Sequence, residues 1–282
     1  TGVIMSYKTI LVHLDRESHA KERIRIACQM AIAEDAFLIG AAMVGVSTLT
    51  FQQAHIDEKD PVIASHLRFL HDRAGAFVKE FEEQAKKMGV PSFEGRIVDG
   101  EANQGISLLS RFADLVVIGQ TDLHETSPVV APDFPEYVMM NAGRPVLIVP
   151  SSFGKEVGKR VMICWNASRE ATRAVADTIP VLRRADVVQI AMFNIDKEPD
   201  VNAEHAGHDL AVYLARHGIN VEVLPPQVDK NIGSAVLALA EEQSCDLLVM
   251  GGYGHTRFRE FLLGGVTRTV LGDATMPVLM SH

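Results

Sequence analysis

The sequence predicts an α/β protein in which one fold, an open parallel sheet with helices on both faces, occurs twice in tandem. Two observations predict this fold class. Short apolar runs alternate with helical patterns along the whole chain, and segments of the first half recur in the second half. The length of 282 residues suits two domains of about 140 residues each. We expect domain 1 over residues 5–152 and domain 2 over residues 155–282, with the polar, glycine-bearing segment Ser151–Gly158 as the linker.

Five apolar runs in the first half predict the five strands of its sheet. Continuous apolar strands are typical of a parallel sheet that is buried on both faces. Between the second and third runs, apolar residues recur every three or four positions and predict an amphipathic helix that ends at Gly89, with Pro91 beyond it. The apolar residues of this helix are Ile63, Leu67, Leu70, Ala74, Phe77 and Phe81. The predicted strands, in chain order, are ILVHL, FLIGAAM, RIV, LVVI and VLIV.

The repeat is visible as matching segments in the same order. ADLVVIGQ recurs as CDLLVMGG, so that Asp114 matches Asp246, 132 residues later, and RPVLIV recurs as MPVLMS at the same offset. Near the start of each half, KTILVHLDRES matches KRVMICWNASR at an offset of 151 residues. The two offsets differ by nineteen, so the first half is predicted to carry about nineteen extra residues before and within its second helix.

The stretch GGYGHTRFREFLLGGVT, residues 251–267, follows a predicted buried strand and is the candidate ligand loop. Gly251 and Gly254 would let backbone N–H groups approach a ligand, because no Cβ stands in the way. Gly264 would open a helix whose first N–H groups carry partial positive charge and suit a phosphate. Glycines at this place also serve simply to turn the chain from a strand into a helix, so the residues alone leave both interpretations open. The basic residues of the segment are His255, Arg257 and Arg259.

The spacing of these three glycines resembles the G-x2-G-x9-G motif of the universal stress protein family. The flanking strands and the opening segment YKTILVHLDRES resemble that family too, and the resemblance covers both halves. It implies two tandem Rossmann-like domains of the adenine nucleotide alpha hydrolase type, whose glycine loop closes over the ribose and phosphates of ATP. It also implies that PVLIVP and PVLMSH pair within one chain as an internal pseudo-dimer. Whether two chains form a homodimer stays open.

The resemblance implies an adenine nucleotide, ATP, ADP or AMP with or without Mg²⁺, in the second half. Two of the implied positions depart from the family pattern. Asn166 stands where the family has an aspartate, and Gly265 stands where it has a serine or threonine that binds phosphate, with Thr267 as a candidate replacement hydroxyl. The nucleotide-binding residues implied are Asn166, Gly251, Gly254, Gly264, Gly265, Val266 and Thr267.

The first half shows the opposite pattern. Asp15 matches the family's aspartate, but Asp122 replaces the second glycine of the loop. Three prolines and further carboxylates follow, and carboxylates repel phosphate. We therefore expect no cofactor in domain 1 and a capping or structural role for Asp15. The further carboxylates are Glu125, Asp133 and Glu136.

The bulk composition excludes several classes of protein. A net charge of −9 without a basic block argues against a nucleic-acid partner. The apolar run Phe37–Val46 is about half of a membrane span, so we expect no membrane partner. The N-terminus lacks a signal-peptide pattern, and the three scattered cysteines, Cys28, Cys164 and Cys245, are expected to be small buried hydrophobes. A cytoplasmic location fits these features best.

No sequence motif of a catalytic nucleophile, a Walker loop or a dinucleotide fold is present, so we expect no enzyme activity beyond slow ATP hydrolysis. His205 and His208 have the spacing of a helical metal pair, but a solvated helix face is the simpler interpretation. His13 and Trp165 are expected to be wall residues of the clefts. The leading hypothesis is a nucleotide-binding stress-response protein with an unknown protein partner. The alternative is a tandem scaffold for a small ligand or a protein, without nucleotide.

Overall fold

The computed structural model describes residues 6–15, 20–45, 60–121, 133–151, 153–195, 202–227, 230–253 and 265–282. These residues form two compact units. One unit spans residues 7–144, and the other spans residues 145–282 together with Ser6. The predicted domain boundaries at residues 152 and 155 stay a prediction.

The first unit is a parallel sheet with the strand order β3-β2-β1-β4. In its central pairing, Leu11 lies opposite both Ile39 and Val116. Its strands are β1 (Thr9–Leu14), β2 (Phe37–Met43), β3 (Phe93–Val98) and β4 (Leu115–Gly119). Its helices are α1 (Ala20–Glu34), α2 (Pro61–Met88), α3 (Ala102–Leu109) and α4 (Phe134–Asn141), and a 3₁₀ turn (Ser110–Phe112) follows α3.

The second unit has the strand order β5-β10-β9-β6-β7-β8, and every pairing except that of β5 with β10 is parallel. Its strands are β5 (Val146–Val149), β6 (Arg160–Cys164), β7 (Val187–Ala191), β8 (Glu222–Val223), β9 (Leu247–Gly251) and β10 (Val278–Ser281). Its helices are α5 (Arg169–Leu182), α6 (Ala203–Arg216), α7 (Ile232–Glu242) and α8 (Val266–Asp273).

Both repeats therefore use the same topology, in which the third, second, first and fourth strands follow one another across the sheet. The tandem Rossmann-like fold class is confirmed. The last strand of the first repeat, β5, lies in the second unit because it pairs antiparallel with β10, with Leu147 opposite Leu279. The predicted pairing of PVLIVP with PVLMSH within one chain is thus confirmed.

The long helix α2 accounts for part of the extra length of the first repeat. It has 28 residues, against 14 in the corresponding α6. Asp60 caps its start by accepting a hydrogen bond from the N–H of Val62 at 2.8 Å, and Gly89 ends it in the left-handed region at φ 80°. The predicted helix end is correct. Of the predicted apolar stripe, Leu70, Ala74 and Phe81 are buried, while Ile63, Leu67 and Phe77 are half-buried.

The matched aspartates of the repeat hold the start of each sheet. The Asp114 carboxylate accepts hydrogen bonds from the N–H groups of Lys8 and Thr9 through one oxygen, at 2.8 and 3.0 Å. The Asp246 carboxylate uses both oxygens. Its Oδ1 accepts from Gly158 N at 2.7 Å, and its Oδ2 accepts from Arg160 N at 2.9 Å. The recurrence of this residue in both halves therefore has a structural reason, which is to tie the fourth strand to the entry of the first.

No helix among the described residues is both long and apolar enough to cross a membrane.

Replacement of one carboxylate oxygen by an amide nitrogen should change the stability of the protein differently at the two aspartates. Asp246→Asn must lose acceptors on one side of the group, and hydrogen bonds to a charged group are worth about 1.5–3 kcal/mol each, so we expect the free energy of unfolding to fall by about 2–3 kcal/mol. Asp114→Asn keeps an oxygen for both of its donors and should lose only about 1 kcal/mol. Urea unfolding followed by circular dichroism measures both values. Equal losses in the two variants would contradict this assignment.

Candidate functional site

The exits of β6 and β9 lie side by side in the second unit, because these strands are parallel neighbours with Ile163 opposite Val249. Ligands of open parallel sheets bind beyond the carboxyl ends of the strands. The described residues that meet at this edge are the turn after β6, the end of β9 and the start of α8. All three were expected to contribute site residues.

Gly251, the last residue of β9, lies directly against the first turn of α5. A Cβ at this position would come within 2.5 Å of Ala171 N and 2.6 Å of Glu170 C. Both are backbone atoms, which cannot rotate away, so the close approach of the helix requires glycine here. The packing of α5 by itself accounts for Gly251, and its role toward a ligand stays a prediction.

Asn166 shapes the turn that leads from β6 into α5. Its Oδ1 accepts a hydrogen bond from Ser168 N at 3.2 Å, while Ala167 between them adopts a left-handed conformation at φ 59°. Ser168 in turn caps α5, because its Oγ accepts from Ala171 N at 3.1 Å. The predicted site residue Asn166 therefore lies at the sheet edge, half-buried, with its oxygen engaged in the turn.

The start of α8 presents backbone donors to the same edge. Gly265 is the N-cap and provides no side-chain cap, and Val266 is the first helical residue. The helix therefore starts at Val266, two residues later than the predicted start at Gly264. Gly265 O accepts hydrogen bonds from Arg268 N and Thr269 N at 3.0 and 3.2 Å. The N–H groups of Val266 and Thr267 have no acceptor among the described residues, so this helix start offers donors and the positive end of a helix dipole.

Thr267 also joins the two described ends of the glycine loop. Its side chain is buried, and its Oγ1 accepts a hydrogen bond from Tyr253 N at 3.4 Å. Tyr253 adopts a left-handed conformation at φ 53°. Gly254 and Gly264, which were predicted to contact the nucleotide, lie outside the described residues, as do His255, Arg257 and Arg259.

The corresponding helix of the first repeat, α4, begins very differently. At the same offset of 132 residues, Asp133 replaces Gly265 as the N-cap and Pro135 replaces Thr267. The aspartate places a carboxylate at the helix start, and proline removes one N–H donor. Glu136 adds a second carboxylate in the first turn of α4. Asp122 and Glu125, which were expected to repel phosphate as well, lie outside the described residues.

A buried ion-paired cluster occupies the exit of β1. Asp15 Oδ1 lies 2.6 Å from a guanidinium nitrogen of Arg23, and Asp15 Oδ2 lies 3.2 Å from His13 Nδ1. The ring of Phe134 covers His13, with 4.8 Å between the ring centroids. Arg23 and His13 are each only 1% exposed, so the cluster fills the strand exit with side chains of the protein itself. His13 is thus a buried core residue and not part of an open cleft wall.

The cluster perturbs the acid–base properties of its members. Burial would raise the pKa of the Asp15 carboxyl, but the Arg23 guanidinium and His13 outweigh burial and hold that pKa far below its usual range. Burial lowers the pKa of His13, although Asp15 opposes this shift. The expected structural role of Asp15 is therefore an ion pair.

The second repeat has lost all three members of this cluster together. At the offset of 151 residues, His13 matches Cys164, Asp15 matches Asn166, and Arg23 matches Ala174. A buried charge without its partner costs several kcal/mol, so the loss of one charge favours the loss of the other. Taken together, the three matching side chains of the second repeat are smaller and carry no charge. Arg23 was missed from the sequence, although a cation on the apolar face of a helix, beside Ile24 and Ala27, is the signal that marks it.

The remaining predicted residues have simpler surroundings. His205 and His208 are exposed on α6, and no group of three or more metal-ligating side chains occurs among the described residues. Cys28 and Cys245 are buried and Cys164 is half-buried, and the structure records all three as free thiols. Burial raises the pKa of Cys28 and Cys164 to about 12, which makes both thiols poor nucleophiles.

Tandem Rossmann-like repeats with a glycine-bearing edge in the second repeat define the class of the protein. Comparison with known families extends this result. The sequence profile of the universal stress protein family matches residues 6–150 and 158–282. The chain belongs to the universal stress protein family.

Curated relatives agree with this assignment. A universal stress protein of Synechocystis sp. is 24% identical over 148 residues, which are 51% of this chain and 49% of that protein. The match therefore spans about half the length of that relative. A universal stress protein of Methanocaldococcus jannaschii is 24% identical over 142 residues, which are 45% of this chain and 84% of that protein.

Solved structures share the fold over nearly the whole chain. The crystal structure of a universal stress protein from Archaeoglobus fulgidus matches with a TM-score of 0.72 and 16% identity, covering 96% of this chain and 97% of the other. A functionally unknown protein from Pseudomonas aeruginosa matches with a TM-score of 0.58 and 14% identity, covering 97% of this chain and 92% of the other. At these identities the likeness shows the fold alone.

The buried histidine should make the first unit sensitive to acid. Because the folded pKa of His13 lies below its unfolded value of about 6.5, the unfolded state binds more protons, and stability should fall as the pH drops through about 6.5. His13→Asn should flatten the decline in the urea midpoint between about pH 7.5 and 5.5. His66→Asn, which changes an exposed histidine of α2, is the matched control and should leave the decline unchanged. An identical pH dependence in His13→Asn and the unsubstituted protein would contradict this assignment.

Proposed function

We propose that the second repeat binds an adenine nucleotide, ATP, ADP or AMP, at the exits of β6 and β9, and that the first repeat binds none. The supporting observation is the contrast between two equivalent helix starts. Helix α8 begins with Gly265 and with N–H donors that have no acceptor in the described part of the chain, while α4 begins with Asp133 and contains Pro135. A triphosphate needs donors and positive potential, and α4 has one N–H donor fewer than α8 and adds the carboxylates of Asp133 and Glu136.

The neutral strand exit of the second repeat supports the same proposal. Cys164, Asn166 and Ala174 replace the histidine, aspartate and arginine that fill the first repeat. In the proposed complex the phosphates lie at the start of α8, and the adenosine end lies toward the turn at Asn166. Mg²⁺ can accompany the phosphates in this arrangement, since it is usually held by substrate oxygens and few protein ligands.

We assign binding and not turnover to this site, with at most slow hydrolysis. Efficient hydrolysis requires a group that orients the attacking water. At this edge the side chains of Asn166, Ser168 and Thr267 accept hydrogen bonds that shape the backbone. The ring of His282, which follows β10, also contacts a backbone atom, with its Nδ1 3.1 Å from Gly252 O. Nucleotide occupancy would then act as a signal in a cytoplasmic stress response, read by a protein partner.

The rival function is a tandem scaffold that carries no nucleotide. Two observations favour it, namely the loss of the family's aspartate at Asn166 and the loss of the phosphate-binding hydroxyl at Gly265. The measurement that separates the two functions is whether an adenine nucleotide copurifies with the protein from cells.

Substitution at the N-cap of α8 tests the proposal without disturbing the fold. Gly265→Asp recreates the N-cap of α4 and introduces a carboxylate at the proposed phosphate position. Aspartate and asparagine are both good N-caps, so Gly265→Asp and the matched control Gly265→Asn should fold equally well. We expect the aspartate variant to bind ATP at least about tenfold more weakly than the asparagine variant, a difference of about 1.4 kcal/mol.

Isothermal titration calorimetry gives both the affinity and the number of sites. The unsubstituted protein should bind at most one ATP per chain. Two equivalent sites would overturn the one-sided assignment. Equal affinities of the aspartate and asparagine variants would show that the phosphates do not lie at α8, and an absence of ATP binding in every form would favour the scaffold.

A further inference from the structure

A cleft lies in the second unit, between α5 and α6. Its volume is about 510 Å³, which falls within the usual range for sites that hold small organic molecules. One wall is formed by the exit of β6 and by α5, including Trp165 and Val175. The other wall is formed by successive turns of α6, including Leu210 and Tyr213.

The cleft is separate from the start of α8. Helix α5 packs against β9 and β10 on one side, and the cleft lies along its other side, facing α6. None of the described residues of the glycine loop lines the cleft. The cleft adjoins the turn at Asn166 through Trp165 and Ala167, but its remaining lining lies on α5 and α6 and in the segment before α6, away from the start of α8.

The aromatic walls of the cleft are built to hold a flat or apolar body. The Trp165 ring is fixed in place, because its Nε1 donates a hydrogen bond to Ala206 O at 3.2 Å across the cleft floor. Tyr213 supplies a second ring about two turns beyond Ala206 on α6, and its ring packs against His217, with 4.8 Å between the centroids. Both aromatic faces carry negative electrostatic potential, which attracts a cation.

The charge on the lining of the cleft is also negative. Among the described residues that line the cleft, Asp209 is the one charged side chain, and no lysine or arginine accompanies it. The Asp209 carboxylate makes no hydrogen bond or ion pair with the described part of the chain. An anionic ligand would meet repulsion here, while a protonated amine would find both a carboxylate and two aromatic rings.

We propose that this cleft binds an organic cation, with an apolar or flat body between Trp165 and Tyr213 and a protonated amine at Asp209. The ligand class is an alkyl or aryl amine. This site goes beyond the nucleotide function and does not depend on it.

Three matched probes test the proposal, namely 4-phenylbutylamine, 4-phenylbutanol and 4-phenylbutyrate, which differ only in the terminal group. Trp165 is the single tryptophan of the chain and lines the cleft, so its fluorescence reports on binding directly. Because the amine gains both an ion pair with Asp209 and a cation–π contact, we expect it to bind about tenfold more tightly than the alcohol. The carboxylate should bind most weakly.

Two charge-neutralising variants locate the amine. Asp209→Asn should reduce the preference for the amine over the alcohol to about twofold, which the aromatic rings alone can supply. Glu242→Gln removes one negative charge from the exposed end of α7, outside the cleft, and should leave the preference unchanged. Thr172→Phe places a ring in the cleft from an exposed position of α5 and should abolish binding of all three probes in a protein with an unchanged circular dichroism spectrum.

Equal affinities of the three probes, or an amine preference that survives Asp209→Asn, would overturn the proposal. Titration of the amine in the presence of saturating ATP distinguishes the two sites. An affinity within about twofold of the value without ATP supports separate sites, whereas competition would show that the cleft belongs to the nucleotide. Failure of ATP to bind would leave the probe titrations, and thus this test, unaffected.

Discussion

The first residues of the helix after the fourth strand decide which backbone donors and which charges each repeat presents at the edge of its sheet. A helix start leaves backbone N–H groups without partners, and the sequence must supply partners or leave them to a ligand. In α4 the problem is reduced by proline, which has no N–H, and by the charge of Asp133. In α8 the N-cap is Gly265, which supplies neither. Two copies of one fold thus differ at the place where a phosphate would bind.

The two repeats also differ at the exit of their first strands, β1 and β6. Asp15 and Arg23 form a buried pair beside His13 in the first repeat, and the ring of Phe134 covers His13. The ion pair stabilises the fold only as long as both charges are present. The second repeat has Asn166 and Ala174 at these positions, so neither charge remains. Absence of the pair without an unpaired buried charge therefore requires two coordinated differences, one in the turn after β6 and one on α5, and both are present.

Helix α5 connects the two proposed sites of the second unit. Its first turn rests on Gly251, which brings the turn after β6 next to the end of β9. Its other side forms a wall of the cleft at Val175. Because Ser168 caps the helix and Asn166 fixes the turn before it, the position of α5 is set by hydrogen bonds at the edge where both ligands are proposed to bind.

The sequence by itself determined the tandem α/β fold, the strand segments and the end of α2 at Gly89, since these depend on local apolar patterns, on turn residues and on the match between Asp114 and Asp246. The loop spacing also determined the family. Tertiary structure alone revealed that Arg23 is buried against Asp15 and that the backbone of α5 occupies the space beside Gly251. It alone brought Trp165 and Tyr213 into one cleft. Such contacts join residues far apart in the chain, and their distances depend on how helices pack on the sheet, which no local pattern encodes.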